Sequence, residues 1–178
     1  MKTIVYIGTS LDGFIARQNG DIDWLNQFAN EEAFQGYEEL IARVDAMVIG
    51  RGTFEKVLTF SSWPYKKDVI VLSTSIKQLP DIARDKVVVL SMKPGEVLEY
   101  LSRKGYSNIY IDGGKVIQEF LKEDLVDELI ISTVPVLIGS GIPLFGYLDN
   151  DLHFRHIQTK VRTDGLVTSY YERKKCKP

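Results

Sequence analysis

The sequence predicts an α/β fold with a largely parallel sheet and an antiparallel pair of strands at its C-terminal edge. Short apolar runs such as Ala46–Ile49 and Asp68–Leu72 are typical of strands that are buried on both faces. Helical patterns alternate with these runs, as in strand–helix–strand units. The last two runs, His153–Val161 and Val167–Arg173, are joined by an Asp-Gly turn and predict the antiparallel edge.

The N-terminal half begins with a buried strand at Thr3–Ile7, which leads into a polar loop from about Thr9 to Asn30. A loop of this length in a compact domain is more often functional than not. Asn30 can cap the helix that follows. Four apolar side chains then share one face of that helix: Phe34, Tyr37, Ile41 and Val44. After the strand at Ala46–Ile49, a short helix is expected from Thr53 onward.

The C-terminal half continues the alternation. Strands are expected at Asp68–Leu72, Val87–Leu90, Ile109–Ile111 and Leu129–Leu137, and a helix at Pro94–Arg103. A further helix follows Ile109–Ile111, with one apolar face made of Val116, Ile117, Phe120 and Leu121. We therefore expect the chain to form one domain over residues 1–178.

Composition excludes several classes of protein. The 22 Lys and Arg against 24 Asp and Glu give a net charge of −2, which argues against a dedicated nucleic-acid binder. The basic residues near the end (Arg173, Lys174, Lys175 and Lys177) are expected to be a solvated tail. One Cys and two His exclude a Cys/His zinc site, and the lone Cys176 fits a reducing cytoplasm. Residues 129–148 are uncharged, but Pro and Gly interrupt them, so we expect no membrane span.

Two strand-to-helix turns have the residues of a phosphate site. In an open α/β sheet, ligands bind at the carboxyl ends of the strands. At the first turn, Gly50 and Gly52 allow a ligand close to the backbone, Arg51 can donate two hydrogen bonds to a phosphate, and Thr53 opens a helix. A plain turn with a surface arginine is the alternative at this turn.

The second turn, Asp112-Gly113-Gly114-Lys115, again places glycines and a cation where a strand passes into a helix. A tight turn with a solvated Lys115 is the alternative. The hydroxyls of Ser73-Thr74-Ser75, after another buried strand, add a weaker signal. Two such turns in one small domain favour a ligand with two phosphate groups.

These segments resemble a known family. IGRGTFE and IDGGKVI are similar to the cofactor-binding segments of dihydrofolate reductases. SLDGFIA and VDELIISTVPVLIGSGIPLF resemble the reductase half of the bifunctional riboflavin-pathway deaminase/reductase. The similarity covers most of the chain, from about Thr3 to Tyr171. It implies an NADPH-dependent reductase with a three-layer α/β/α sandwich of the dihydrofolate reductase type.

The resemblance also implies positions for the cofactor. Residues beside the nicotinamide are Ala16 and the region of Gly20. Gly50, Arg51 and Thr53 would hold the adenosine 2′-phosphate and the pyrophosphate side. Ser73 and Thr74 would approach the phosphate of the adenine ribose. Residues along the pyrophosphate are Gly113, Gly114, Lys115, Val116 and Ile117. The arginine is the reason to expect NADPH rather than NADH, and core packing is the alternative for Ala16, Val116 and Ile117.

The proton donor is expected to be a carboxyl group in a partly apolar pocket. Asp12 is the first candidate, because it matches the acidic residue of the family's SxDG segment. Glu31 is the second. Asp12 can instead belong to an Asp-Gly turn, and Glu31 can instead stabilise a helix N-terminus. Trp24 is expected either to stack on a flat substrate or to fill the core, and Ser132 is expected to face the substrate.

Two differences from these relatives narrow the set of reactions that the sequence predicts. No His/Cys cluster with a catalytic Glu is present, so deamination is excluded and only the reduction remains. Ala29 stands five residues after Trp24, where dihydrofolate reductases have a carboxylate, which argues against folate reduction. We therefore expect hydride transfer to a C=N or C=O bond of a small pteridine or ribosylaminopyrimidine-like heterocycle. The alternatives are reduction of other small carbonyl compounds and nucleotide binding without turnover. The apolar stretch Leu137–Leu148 resembles the family's pairing region, which suggests a homodimer.

Overall fold

The computed structural model describes residues 1–174, so the predictions for Lys175, Cys176 and Lys177 lie outside the described residues. The strands are β1 (Lys2–Thr9), β2 (Phe14–Ala16), β3 (Ala46–Gly50), β4 (Asp68–Leu72), β5 (Val87–Leu90), β6 (Asn108–Asp112), β7 (Glu128–Thr133), β8 (Ile142–Pro143), β9 (Phe154–Val161) and β10 (Val167–Arg173). The helices are α1 (Asp23–Asn26), α2 (Glu31–Arg43), α3 (Arg51–Val57), α4 (Pro94–Arg103) and α5 (Gly114–Lys122), with a 3₁₀ turn at Asp81–Ala83.

Eight of the strands form one sheet in the order β5-β4-β3-β6-β1-β7-β10-β9. The six strands from β5 to β7 are parallel, whereas β10 and β9 pair antiparallel. This arrangement confirms the expected parallel sheet with an antiparallel edge. All six parallel strands end at the same edge of the sheet, which brings the turns after β1, β3, β4 and β6 together.

Helices cover both faces of the parallel part, which gives the three layers expected. Alternate residues of β3 point to opposite faces. Met47 and Ile49 belong to the core beneath α2 and α3, and Ala46 and Val48 belong to the core beneath α4 and α5. Asn30 caps α2 as predicted, because its side chain accepts a hydrogen bond from the Ala33 amide. We call the two sides of the sheet the α2 face and the α5 face.

The loop from Thr9 to Asn30 is more structured than the sequence suggested. It contains β2 and the short α1, and β2 pairs antiparallel with β8. We call this two-stranded element the β2–β8 ribbon. The strand expected to run to Leu137 ends at Thr133 instead. Pro135 lacks the amide proton that a further ladder bond requires, and the chain leaves the sheet there.

Two further expectations concern the surface. Arg173 does not belong to a solvated basic tail, since its guanidinium is largely buried and pairs with Asp124 at 2.5 Å. Within residues 1–174, no helix is long and apolar enough to cross a membrane.

Candidate active site

The two glycine-containing turns touch each other at the carboxyl edge of the sheet. Ile49 of β3 lies beside Asp112 of β6, so Gly50 and Gly113 follow from neighbouring strands. A Cβ atom on Gly113 would lie only 2.6 Å from the Thr53 hydroxyl. The φ angle of Gly113 is +93°, a conformation that favours glycine. The two turns therefore form one continuous backbone surface that a larger residue at Gly113 would disrupt.

The third strand end contributes hydroxyl groups beside Arg51. The Arg51 guanidinium donates a hydrogen bond to Ser75 Oγ at 3.1 Å. Ser73 Oγ accepts from the backbone amides of Ser75 and Ile76 at 3.2 and 3.3 Å, and Thr74 is exposed. Arg51 is more than half exposed and lies 3.6 Å from Glu55, so its charge remains available to an anion. Arg51 thus contacts Ser75, whose hydroxyl lies 3.2 Å from that of the predicted Ser73.

The β2–β8 ribbon lies against the start of α5. A Cβ atom on Gly114 would lie 2.8 Å from Ile15 Cδ1 and 3.2 Å from Ile142 Cγ2. Ala16 is buried within the ribbon, and Gly20 lies in the turn beyond it with a φ angle of +81°. The ribbon therefore fixes the backbone at Gly114, and Lys115 next to it is exposed to solvent.

Val116 and Ile117 are core residues rather than ligand-lining side chains. They are 7% and 0% exposed, and both belong to the core on the α5 face. The Ile117 amide also donates to the Gly113 carbonyl at 2.9 Å, so it is not free for a ligand. A place for Val116 and Ile117 along the pyrophosphate stays a prediction, and it would depend on the main chain in the first turn of α5 rather than on these two side chains.

Asp12 does not have the environment of a proton donor. Its carboxylate accepts from the Gly139 amide at 2.7 Å, from the Ile138 amide at 3.2 Å and from the Ser10 hydroxyl at 2.6 Å. The hydrogen bond from Ser10, followed by those from the two amides, lowers the pKa of Asp12 below its ordinary value. The carboxylate stays ionised at neutral pH and fastens the Ser10–Gly13 turn to the segment before β8. These contacts argue against Asp12 as the proton donor, and its catalytic role stays a prediction.

The structure also argues against catalytic or substrate-stacking roles for Glu31 and Trp24. Glu31 is exposed in the first turn of α2, where a negative charge is favourable. Trp24 is 5% exposed and packs with Phe28, Val134 and Leu166. Both faces of its indole ring are therefore inaccessible to a ligand. Within the described residues, its indole N–H has no hydrogen-bond partner.

Ser132 lies on the α2 face, where its hydroxyl is 2.8 Å from that of Thr168 on β10. A cavity of about 250 Å³ opens on the other face, at the ends of β1 and β7. Its lining includes Thr9, Ser10 and Gly13. The turn that holds Asp12 therefore borders the α5 face, and Ser132 borders the α2 face.

Asp112 is the acidic residue that sequence reasoning missed. It is the last residue of β6 and is half-buried, and it lies on the same α2 face as the buried Tyr110 two residues earlier. Burial raises its pKa to about 6, and a hydrogen bond from the Gly113 amide opposes this only in part. Among residues 1–174, no cation forms an ion pair with it. Its sequence signal is a carboxylate between a buried strand and a glycine pair, a segment that the sequence assigns to phosphate binding through its glycines and Lys115.

The fold and the residues at the carboxyl edge of its sheet define a class of protein. The chain has the dihydrofolate reductase-like fold, which it shares with the dihydrofolate reductase from Enterococcus faecalis complexed with NADP(H) (TM-score 0.72, 16% identity, covering 98% of this chain and 97% of that chain). The model of the RibD C-terminal domain matches residues 1–168. The chain therefore belongs to the RibD C-terminal domain family.

More similar proteins have been found in two bacteria. A putative riboflavin biosynthesis protein from Shewanella sp. PV-4 has a TM-score of 0.92 and 44% identity, and the match covers 98% of this chain and all of that one. The "Uncharacterized protein YwjB" of Bacillus subtilis (strain 168) is 40% identical over 163 residues, covering 89% of this chain and 91% of that protein. The family membership and the dihydrofolate reductase-like fold confirm the resemblance seen in the sequence.

Proposed function

We propose that this protein is an NADPH-dependent reductase that transfers hydride to a C=N or C=O bond of a small pteridine or ribosylaminopyrimidine-like heterocycle. One observation carries the proposal: the packing of Gly113 on Thr53 joins two turns with free backbone into a single surface beside an exposed arginine. A surface of this kind suits a ligand that has phosphate groups at separate positions.

The residues fit a nicotinamide dinucleotide. Arg51, Ser73 and Ser75 form a cluster of a guanidinium and two hydroxyls that can bind a terminal phosphate. The free amides at the start of α5, with the exposed Lys115, can bind the pyrophosphate. A bound reduced nicotinamide would supply the hydride. The protein aligns the substrate, excludes water and provides a proton.

Three finer parts of the proposal come from the resemblance and from the relatives. The Shewanella relative's name supports a substrate related to riboflavin biosynthesis. A cytoplasmic location and a homodimer formed through residues 137–148 belong to the same proposal. Leu137, Phe145 and Tyr147 in this stretch are large and exposed, which suits a protein partner.

A titration with NADPH and with NADH, followed by nicotinamide fluorescence, tests the cofactor assignment. We expect micromolar binding of NADPH and much weaker binding of NADH. Arg51→Ala should weaken NADPH about 10- to 100-fold and NADH little, because it removes a charge-assisted contact with the 2′-phosphate. Arg103→Ala is the matched control, since Arg103 also forms an i,i+4 surface pair with a glutamate. It should leave both affinities unchanged.

The titration has two outcomes that contradict the proposal. Absence of binding of either nucleotide overturns the reductase assignment. Equal weakening of both nucleotides by Arg51→Ala overturns the role of Arg51. If NADPH binds, its oxidation is measured with a dihydropterin, a ribosylaminopyrimidine and a small aldehyde. Binding without oxidation by any of the three identifies a nucleotide-binding protein without turnover.

A further inference from the structure

Two hydroxyl groups meet on the α2 face, close to the carboxyl edge of the sheet. The pairing of β1 with β7 and of β7 with β10 places Gly8, Ser132 and Thr168 in one row. All three residues are half-buried, so solvent reaches them. The Ser132 and Thr168 hydroxyls lie 2.8 Å apart, and Gly8 adds no side chain beside them. We call this row the hydroxyl row, and the resemblance assigns its Ser132 to the substrate.

Helix α2 lies directly behind the hydroxyl row. Tyr6 precedes Gly8 by two residues on β1 and therefore points to the same face. A Cβ atom at Gly36 of α2 would lie 2.9 Å from the Tyr6 hydroxyl, so glycine is required for this close approach. Tyr37 packs in the same core and is half-buried. The groups next to the hydroxyl row therefore include phenols, which are neutral below about pH 10.

Arg162 brings a positive charge to this face, but two carboxylates neutralise it. Its side chain is 12% exposed, and its guanidinium donates to the Phe28 carbonyl at 3.0 Å and to Asp164. The Glu32 carboxylate lies 3.4 Å from the Arg162 Nε. Burial raises the pKa of Tyr6 and the charge of Arg162 opposes this, which places the guanidinium near that phenol. Arg162 therefore cannot bind a phosphate without losing partners within the protein.

Carboxylates predominate among the charged groups of α2 and of the turn between β9 and β10, which flank the row. Four of them belong to α2: Glu31, Glu32, Glu38 and Glu39. Lys66 is paired with Glu38 at 2.8 Å. The Lys160 ammonium is engaged with the Tyr170 ring, 5.5 Å from its centroid. The α2 carboxylates and Asp164 thus outnumber these two lysines and the arginine, so the surroundings of the hydroxyl row are negatively charged.

We propose that the substrate of this protein has no phosphate group, and that Ser132 and Thr168 bind the N–H and C=O edge of its uncharged ring. The inference deepens the proposed reductase function and rests on it. A hydroxyl group both donates and accepts a hydrogen bond, so the pair suits an adjoining N–H and C=O of a pterin or pyrimidine ring. The carboxylates of α2 and Asp164 repel a phosphorylated substrate, which gives the site its selectivity.

Two pairs of compounds test this preference: a ribosylaminopyrimidine and its 5′-phosphate, and a hydroxyalkyl dihydropterin and its phosphate ester. Each compound is titrated calorimetrically into the protein, once without nucleotide and once with NADP⁺. We expect the unphosphorylated compound to bind about tenfold more tightly or better, because the carboxylates repel the phosphate. Higher salt should reduce the difference, since it screens this repulsion. With NADPH, kcat/KM should follow the same order.

Glu32→Gln measures the contribution of one carboxylate. The Glu32 side chain is 70% exposed, so the fold should tolerate the change. The preference should narrow about two- to fivefold, through tighter binding of the phosphorylated compound. Glu99→Gln is the matched control, because Glu99 of α4 is also 70% exposed and also pairs with an arginine. It should leave the preference unchanged.

Thr168→Val tests the hydroxyl row itself. Valine has a similar shape but no hydroxyl, so the unphosphorylated compound should bind about tenfold more weakly while NADPH binds as in the wild type. Thr159→Val is the matched control, because Thr159 is exposed on β9 of the same hairpin and pairs with Ser169 rather than with the hydroxyl row. It should leave both affinities unchanged.

The outcomes separate this inference from the function on which it rests. Equal or tighter binding of a phosphorylated compound overturns the inference, and so does failure of all four compounds to bind. A preference that Glu32→Gln does not narrow, or wild-type binding by Thr168→Val, also contradicts it. If the wild type does not bind NADPH, the proposed function fails instead, and the titrations without nucleotide still decide the substrate preference.

Discussion

Two of the chain's three Asp-Gly pairs follow parallel strands at the same edge of the sheet, and their carboxyl groups differ in opposite directions. Asp12-Gly13 follows β1, and Asp112-Gly113 ends β6. The carboxylate of Asp12 accepts hydrogen bonds from two amides and a hydroxyl, which lowers its pKa, whereas burial among tyrosines raises the pKa of Asp112. Both glycines have a positive φ angle, but a Cβ atom has open space at Gly13 and meets Thr53 at Gly113. The same dipeptide therefore holds two loop segments together in one turn and presents a carboxyl group of raised pKa in the other.

Replacing each glycine with alanine should give the largest difference between the two turns, measured as the loss of unfolding free energy. Both substitutions place a side chain in a strained backbone conformation, at a loss of about 1–3 kcal/mol of unfolding free energy. Gly113→Ala also forces the Thr53 hydroxyl aside, which adds about 1–3 kcal/mol. Urea unfolding measures both losses. Gly113→Ala should in addition weaken NADPH binding by at least tenfold, whereas Gly13→Ala should not. Equal losses in the two variants would mean that the turns do not pack as described.

Replacing each aspartate with asparagine should change stability in opposite directions. Asp112 is harder to ionise in the folded state, so stability falls as pH rises from its ordinary value of 3.8 to about 6. Asp112→Asn should therefore be more stable than the wild type at pH 8, by about 1–3 kcal/mol, and no more stable at pH 4. Asp12 stabilises the fold when it is ionised, and this contribution is lost as pH falls through its lowered pKa. Asp12→Asn should lower the melting temperature at pH 7, and a rise would contradict its fastening role.

The smallest expected effect concerns the hydroxyl that holds Asp12. Ser10→Ala removes the strongest of the influences that lower the pKa of this carboxylate. The pKa of Asp12 should rise toward its ordinary value, and that of Asp112 should not change. NMR titration of the two carboxyl groups measures both. A shift at Asp112 would show that the two turns are coupled through β1.

Much of the fold could be predicted because parallel strands buried on both faces have continuous apolar sequences. Ala46–Ile49 and Asp68–Leu72 are such runs, and both are strands as expected. The β2–β8 ribbon could not be predicted in the same way. Its strands have three and two residues, and each is defined only by the partner that comes more than a hundred residues away.

The residues of the candidate site also differ in how far the sequence predicts them. Arg51, Gly113 and Thr53 belong to short motifs whose spacing places them at strand ends, so their proximity could be expected. The environment of Asp112 depends instead on Tyr6, Tyr37 and Tyr65, which belong to three separate segments of the chain. Asp12 is favoured by the sequence because its motif resembles that of relatives. The motif cannot predict that the amides of Ile138 and Gly139 donate hydrogen bonds to the Asp12 carboxylate.

The central position of β1 has a consequence for how the chain folds during synthesis. The register joins Lys2 to Asn108 on one side and Thr9 to Thr133 on the other. β1 is therefore synthesised long before either of its neighbouring strands exists. Contacts so distant in sequence are slow to form, because a long loop must close before they stabilise anything. Until then β1 exposes an apolar edge, which makes the nascent chain dependent on protection from aggregation.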